Sequence, residues 1–210
     1  MSMTPENREC GVRHRFTVRH RDTTPNPWPA AMQQLAHWCA VFDSEGLAPV
    51  EGGASAGNLS FRTPAGFVIT PTRSRLRTGL DWTSFVEVVR ADAQAFELHV
   101  LGSGTPSSDS FLHERIYAAR TDVNAVLHGH DELVLEYAHA LAREFPIALT
   151  TGTRDFGTLI DSQETASELG AMPYIIRLGH GFVSVGRTMD IAGDLAVAVH
   201  RRAVHMKAGG

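Results

Sequence analysis

The stretch that decides the fold is Asn124-Ala125-Val126-Leu127-His128-Gly129-His130. A short apolar run that ends on a histidine predicts a largely buried strand over Asn124 to His128. Residues two apart on a strand point to the same face. His128 and His130 therefore present two imidazoles side by side, with the small Gly129 between them. A histidine pair of this kind can hold a metal, lie at the surface, or sit buried and hydrogen-bonded. The end of an apolar strand argues against the surface.

Working outward, a helix is expected near Glu132 to Glu144, and another over Asp109 to Arg120, where Phe111, Leu112, Ile116 and Ala119 share a face. Leu59 to Arg62 and Phe67 to Thr70 flank the turn signal Thr63-Pro64-Ala65-Gly66 and read as a hairpin. Phe85 to Arg90, Phe96 to Leu101, Pro146 to Thr150, Tyr174 to Leu178 and Phe182 to Val185 read as further strands. A helix with an apolar face at Ala31, Met32, Leu35, Trp38, Cys39 and Phe42 follows Asn26-Pro27-Trp28-Pro29 and stops at Gly46. Gln163 to Ala171 and Asp190 to Met206 complete the helices. Helices and strands mix without strict alternation. That predicts a single α/β domain over 26–210, with a central, mainly antiparallel sheet. Residues 1–25 form an N-terminal extension, either a mobile tail or an extra edge strand.

The chain has 210 residues, ample for a real core. Its charge of −4 offers no basic field for nucleic acid. No apolar run reaches the roughly 20 residues that span a bilayer, and the N-terminus lacks the apolar core of a signal peptide. Cys10 and Cys39 make neither a disulfide framework nor a thiolate metal site. The expectation is a soluble, cytoplasmic protein without membrane or nucleic-acid partners. The distinctive count is 11 histidines.

A catalytic zinc usually takes three protein ligands and keeps one position open. His180, flanked by Gly179 and Gly181 between two strands, is the best third ligand beside His128 and His130. The loop Ser55-Ala56-Gly57-Asn58-Leu59-Ser60 lets backbone N–H groups approach an anion, with Ser55 and Asn58 as added donors. Pro106-Ser107-Ser108-Asp109 opens a helix. Its serines can cap that helix, and its first-turn N–H groups attract anions. Asp109 fits a first-turn acid favoured by the helix dipole and equally a general base beside a metal.

Taken in order, Gly57-Asn58-Leu59-Ser60, Phe67-Val68-Ile69-Thr70-Pro71, Pro106-Ser107-Ser108-Asp109, His113, Tyr117-Ala118-Ala119-Arg120, Asp122-Val123-Asn124-Ala125-Val126, His128-Gly129-His130 and His180-Gly181 resemble the class II aldolase/adducin family. The match runs from about residue 28 to 206. The resemblance implies a three-layer fold with helices on both sides of the sheet. It implies a divalent metal, usually zinc, on His128, His130 and His180. It also implies a phosphate pocket at Ser55, Gly57, Asn58, Thr72, Arg73, Ser107 and Ser108, and a homotetramer with sites between subunits. The implied chemistry is a metal-stabilised enediolate formed from a small anionic hydroxy-carbonyl or hydroxy-acid substrate.

The sequence departs from the family pattern in three places. Asp109 stands where Glu is usual and reaches about 1.5 Å less far. Thr70-Pro71-Thr72-Arg73 replaces Thr-Pro-Ser-Gly, so a long cation occupies a glycine position. The position of a catalytic tyrosine falls near Leu149, and no tyrosine follows Tyr174. The leading expectation is a metal-dependent lyase that cleaves or decarboxylates its substrate, with Asp109 as acid/base. A sugar-phosphate dehydratase and a catalytically silent, adducin-like scaffold are the alternatives.

Overall fold

Strand β8 (Ala125–Gly129) is buried along its whole length because it runs through the middle of the sheet. The computed structural model describes residues 16–21, 28–102, 104–151 and 159–209. On one side β8 pairs antiparallel with β4 (Gly57–Arg62), which sets Gly57 against Gly129 and Asn58 against His128. On the other side it pairs antiparallel with β11 (Gly181–Gly186), which sets Phe182 against Gly129. The remaining strands of this sheet are β1 (Thr17–Arg21), β5 (Phe67–Ile69), β6 (Val86–Asp92), β7 (Glu97–Leu101), β9 (Ile147–Thr150) and β10 (Tyr174–Arg177). Among the described residues the nine strands lie in the order β1-β7-β6-β5-β4-β8-β11-β10-β9. Only β1 with β7 and β9 with β10 pair parallel. A short ribbon, β2 (Val50–Glu51) with β3 (Ala54–Ser55), stands apart from the main sheet.

The period-two alternation of β8 sorts its side chains between two cores. Ala125 and Leu127 join a cluster with Phe42, Leu59 and Val199 on the side of helices α1 (Pro29–Glu45) and α6 (Met189–Gly209). Val126 joins a second cluster with Phe111, Ile116 and Leu169 on the side of α2 (Ser110–Ala119) and α5 (Leu159–Leu169). Each fully buried Leu, Ile or Phe of these layers contributes about 1.5–3 kcal/mol. The apolar face read for α1 is buried at Met32, Leu35, Trp38, Cys39 and Phe42, and Gly46 ends the helix at φ 76°. By alternation His128 shares the face of Val126, which turns it toward the N-terminal end of α2, where Asp109 stands.

Three local expectations are corrected. The helix over Glu132 to Glu144 is two helices, α3 (Glu132–Glu136) and α4 (Ala138–Glu144). Tyr137 leaves the helical region at φ −102° and ψ 15°, which re-aims α4 onto β9. α5 starts at Leu159, before the expected Gln163, and ends at Leu169. The N-cap of α2 is Asp109 rather than a serine. Within the extension, Thr17–Arg21 forms the edge strand β1, while 1–15 and the break residues Asn26 and Pro27 lie outside the described residues.

Candidate metal centre

His128 is the next-to-last residue of β8, His130 lies just beyond its end, and His180 sits in the turn that joins β10 to β11. Gly179 takes φ 83° there, and the His180 N–H closes the turn on the Arg177 carbonyl at 3.0 Å. Gly129 has a different task. A Cβ on it would overlap the Leu47 carbonyl oxygen, so no other residue fits between the two histidines.

The three imidazoles converge. His130 Nε2 lies 3.2 Å from His128 Nε2, and His180 Nε2 lies 3.4 Å from it. Zinc–nitrogen bonds of about 2.0–2.1 Å at a tetrahedral angle place ligand nitrogens about 3.3 Å apart. His128 Nδ1 is 2.7 Å from the Phe182 carbonyl, which can only accept, so Nδ1 carries the proton and Nε2 turns its lone pair to the centre. Burial first, then the neighbouring His128, push His130 down to about 4 and His180 to about 2. Both are neutral at pH 7, the form in which imidazole binds a metal. The donor set, spacing and lone-pair direction fit a divalent cation.

Asp109 stands over this cluster. Its Oδ2 is 3.9 Å from His128 Nε2, and its side chain is 24% exposed. Although it is the N-cap of α2, it makes no side-chain cap hydrogen bond. Its oxygen instead accepts from Asn58 Nδ2 at 2.6 Å. Burial pushes its carboxyl upward, but His128, His180 and the Asn58 hydrogen bond outweigh that and hold it below the usual carboxylate range. The shorter side chain thus still reaches the triad.

Of the other expected site residues, Asn58, Ser107 and Ser108 touch Asp109, and Asn58 changes role. The sequence suggests that Asn58 orients a substrate anion, but its amide is 4% exposed and engaged at both ends: Nδ2 donates to Asp109 and Oδ1 accepts from His113 Nε2 at 2.6 Å. The Ser107 hydroxyl accepts from the Asp109 N–H at 3.3 Å, and the Ser108 hydroxyl donates to Asp109 Oδ1 at 3.5 Å. Thr72 N–H donates to Thr105 O, and Ser107 N–H to Thr70 O, zipping the two loops together. Ser55 fixes the far end of the first loop, its hydroxyl accepting from Leu76 N–H at 3.0 Å. Gly57 faces Gly129 across the strand pair. Arg73 is exposed and left-handed, with φ 56°.

The sequence reading gave no role to Ser60, His113 or Tyr117, all of which are buried. Ser60 Oγ lies 2.6 Å from His113 Nδ1 and 2.7 Å from the Tyr117 hydroxyl. Their signal was in the spacing. Asp109, His113 and Tyr117 recur every four residues, and Asn58 and Ser60 every two, so both polar series follow faces that otherwise bury apolar groups. The Tyr117 hydroxyl is taken by Ser60, and the Tyr174 hydroxyl is buried without a hydrogen-bond partner among the described residues. Leu149, near the expected tyrosine position, packs against the α1/α6 core. A surface cavity of about 330 Å³ lined by Arg62, Phe67, Arg90 and Glu114 contains none of the triad.

The profile of the Class II Aldolase and Adducin N-terminal domain matches residues 33–205, and the chain belongs to that family. A methylthioribulose-1-phosphate dehydratase of Gluconacetobacter diazotrophicus is 32% identical over 80% of this chain and 87% of its own. A 3,4-dihydroxyphthalate decarboxylase of Arthrobacter keyseri is 26% identical over 84% of this chain and 77% of its own. In fold, the chain is similar to the L-fuculose-1-phosphate aldolase of Thermus thermophilus, with a TM-score of 0.65, 18% identity, and 84% of this chain and 93% of that one covered. The chain is an enzyme of the class II, metal-dependent lyase type. Among the described residues no helix is long and apolar enough to cross a membrane.

Proposed function

We propose that the protein is a zinc-dependent lyase of small anionic hydroxy-carbonyl or hydroxy-acid substrates, cytoplasmic and working as a homo-oligomer. The observation that carries this reading is that His130 Nε2 and His180 Nε2 lie 3.2 and 3.4 Å from His128 Nε2, with all three ligand atoms within 4.8 Å of one another and a carboxylate 3.9 Å from His128. His128, His130 and His180 hold the metal, and an all-nitrogen set of three favours zinc with an open position. When bound, the cation supplies a Lewis acid that stabilises negative charge developing on the substrate's oxygens. Asp109 moves the proton, being ionised and beside the triad. Asn58 holds that carboxylate in place. Ser107 and Ser108 flank Asp109, and with Ser55, Gly57 and Thr72 they line the two joined loops that take the anionic end. Arg73 extends its guanidinium from the same loop and suits a phosphate or a carboxylate in a bidentate grip.

The test is metal analysis of purified protein together with a product screen. The panel is 5-methylthioribulose 1-phosphate, L-fuculose 1-phosphate, 3,4-dihydroxyphthalate and small unphosphorylated hydroxy acids. Expected are one zinc per chain, lost in a His128→Ala/His130→Ala variant, and turnover of one panel member. An aldehyde product marks aldol cleavage, carbon dioxide decarboxylation, and a product lighter by one water dehydration. Metal-free protein with unchanged stability and assembly would replace the lyase with the scaffold.

A further inference from the structure

The buried polar chain behind Asp109 has a direction. Asn58 Nδ2 donates to Asp109 Oδ2 at 2.6 Å, so the NH₂ end of the amide faces the carboxylate. The Asn58 carbonyl oxygen is then left to face His113 Nε2, which must donate. Burial above all holds His113 neutral, down to about 3, so with Nε2 protonated its Nδ1 is a bare acceptor. Ser60 therefore donates its hydroxyl proton to His113 Nδ1. Having used its only proton, Ser60 accepts from the Tyr117 hydroxyl. Every donation runs the same way, from Tyr117 through Ser60, His113 and Asn58 to Asp109. All four residues behind Asp109 are at most 5% exposed, so water cannot easily substitute for a missing member.

We infer that His113 is a positioning residue: through its Nε2–H it fixes the orientation of the Asn58 amide, and so aims the Asp109 carboxylate at the metal centre instead of at the α2 N-terminus. The inference rests on the reading of Asp109 as proton carrier. An Asn58 amide turned the other way would point its carbonyl oxygen at the Asp109 oxygen that now accepts from Nδ2. Two acceptors would meet at hydrogen-bond distance, and Asp109 would swing away, toward the first-turn N–H groups of α2 that an N-cap side chain ordinarily takes. A displacement of that kind, on the order of 1 Å, costs about 10²-fold in rate.

Two substitutions separate positioning from packing. In His113→Gln the side-chain NH₂ reaches the place of Nε2 and keeps the donor to Asn58. In His113→Asn the shorter amide keeps the contact with Ser60 and loses that donor. The assay uses zinc-loaded full-length protein and the panel member that reacts. Expected is a loss of kcat of about 10²-fold in His113→Asn, with KM and zinc content held, while His113→Gln stays within about tenfold of the parent. His113→Asn should add no further loss in an Asp109→Asn background. A second readout is independent of turnover: the Asn58 side-chain amide resonance, identified by its absence in Asn58→Ser, should stay shifted and exchange-protected in His113→Gln and lose both features in His113→Asn. Equal kcat losses in the two variants, an additive loss in the double variant, or an amide resonance indifferent to residue 113 would each overturn the inference. If Asp109→Asn retains full turnover, the proton-carrier reading falls by itself and the resonance still decides the role of His113.

Discussion

Two histidine clusters meet at the end of β8, one residue apart in sequence and opposite in protonation. His130 belongs to the triad, where burial and like neighbours drive its imidazole and that of His180 to the neutral form. Asp131, the next residue, takes a hydrogen bond from His200 of α6 at 2.5 Å. That bond, acting against partial burial and helped by the charges of Asp131 and Glu45, raises the His200 imidazole above its ordinary value, although Arg201 opposes it. The difference is the company each ring keeps. Three imidazoles around one point can share a cation but not protons of their own. An imidazole facing a buried carboxylate keeps its proton. The first arrangement gives the chain a metal centre, and the second ties α6 to the strand that bears it.

The largest effect expected from breaking this contrast is on the triad side. His128→Ala removes the central ligand, and zinc affinity, read by chelator competition, should fall by more than about 10²-fold with turnover falling alongside. A partner one shell further out already costs 10- to 100-fold. Asp109→Asn should keep the zinc and lower kcat by about 10²–10⁴-fold, the range for a general acid–base group. Retained turnover with full metal content would remove Asp109 from the chemistry.

On the other side, Asp131 is 3% exposed and also accepts from the Leu133 and Val134 N–H groups as the N-cap of α3. Asp131→Ala loses the cap and the charged bond and should cost about 2 kcal/mol in denaturant unfolding. The pH dependence separates the clusters. His200, raised in the folded state, adds stability in full below the unfolded value of 6.5, and this stability is lost as pH rises through the folded pKa. His130 and His180, lowered in the folded state, have no such effect above 6.5 and destabilise the metal-free protein as pH falls from 6.5 toward about 4. Thermal melts of metal-free protein should therefore show the His200→Gln deficit shrinking as the buffer is taken above neutrality. The melting temperature of a His130→Ala/His180→Ala variant, relative to the parent, should rise as the buffer is acidified. A deficit of constant size across pH would mean that His200 acts by packing alone.

The same contrast explains what was legible in the sequence. His128 and His130 stood out because an apolar strand ended on them, and His180 because glycines flanked it. Those are local patterns, and sheet order then brought 128 and 180 together across β8 and β11. His200 gave no such signal, because its partner lies 69 positions away and neither residue breaks a local rule. His113 lay in a recognisable motif, but its partners Asn58 and Ser60 come from another element, and only packing shows which atoms meet. The break at Tyr137 was hidden because each half of the segment has helical residues, and the re-aiming of α4 comes from tertiary contacts with β9. Asp109 as N-cap was half visible: the helix start could be read, but not that the carboxylate would forgo its cap for Asn58.

The smallest expected effect concerns Arg73, where fold and site pull in opposite directions. A non-glycine residue at φ 56° costs roughly 1–2 kcal/mol relative to a glycine that takes this conformation freely. Glycine in turn gains freedom in the unfolded chain, which offsets up to about 1 kcal/mol of the relief. Arg73→Gly should therefore raise unfolding stability by no more than about 1 kcal/mol. If the guanidinium grips the substrate's anionic end, the same change should raise KM with kcat nearly unmoved, since binding lost equally from substrate and transition state leaves the chemical step alone. Stability gained together with a raised KM marks a strained residue retained for binding. Stability gained with KM unchanged would make Arg73 a solvated loop residue, and the anion would then be held by the Ser107–Ser108 side of the joined loops.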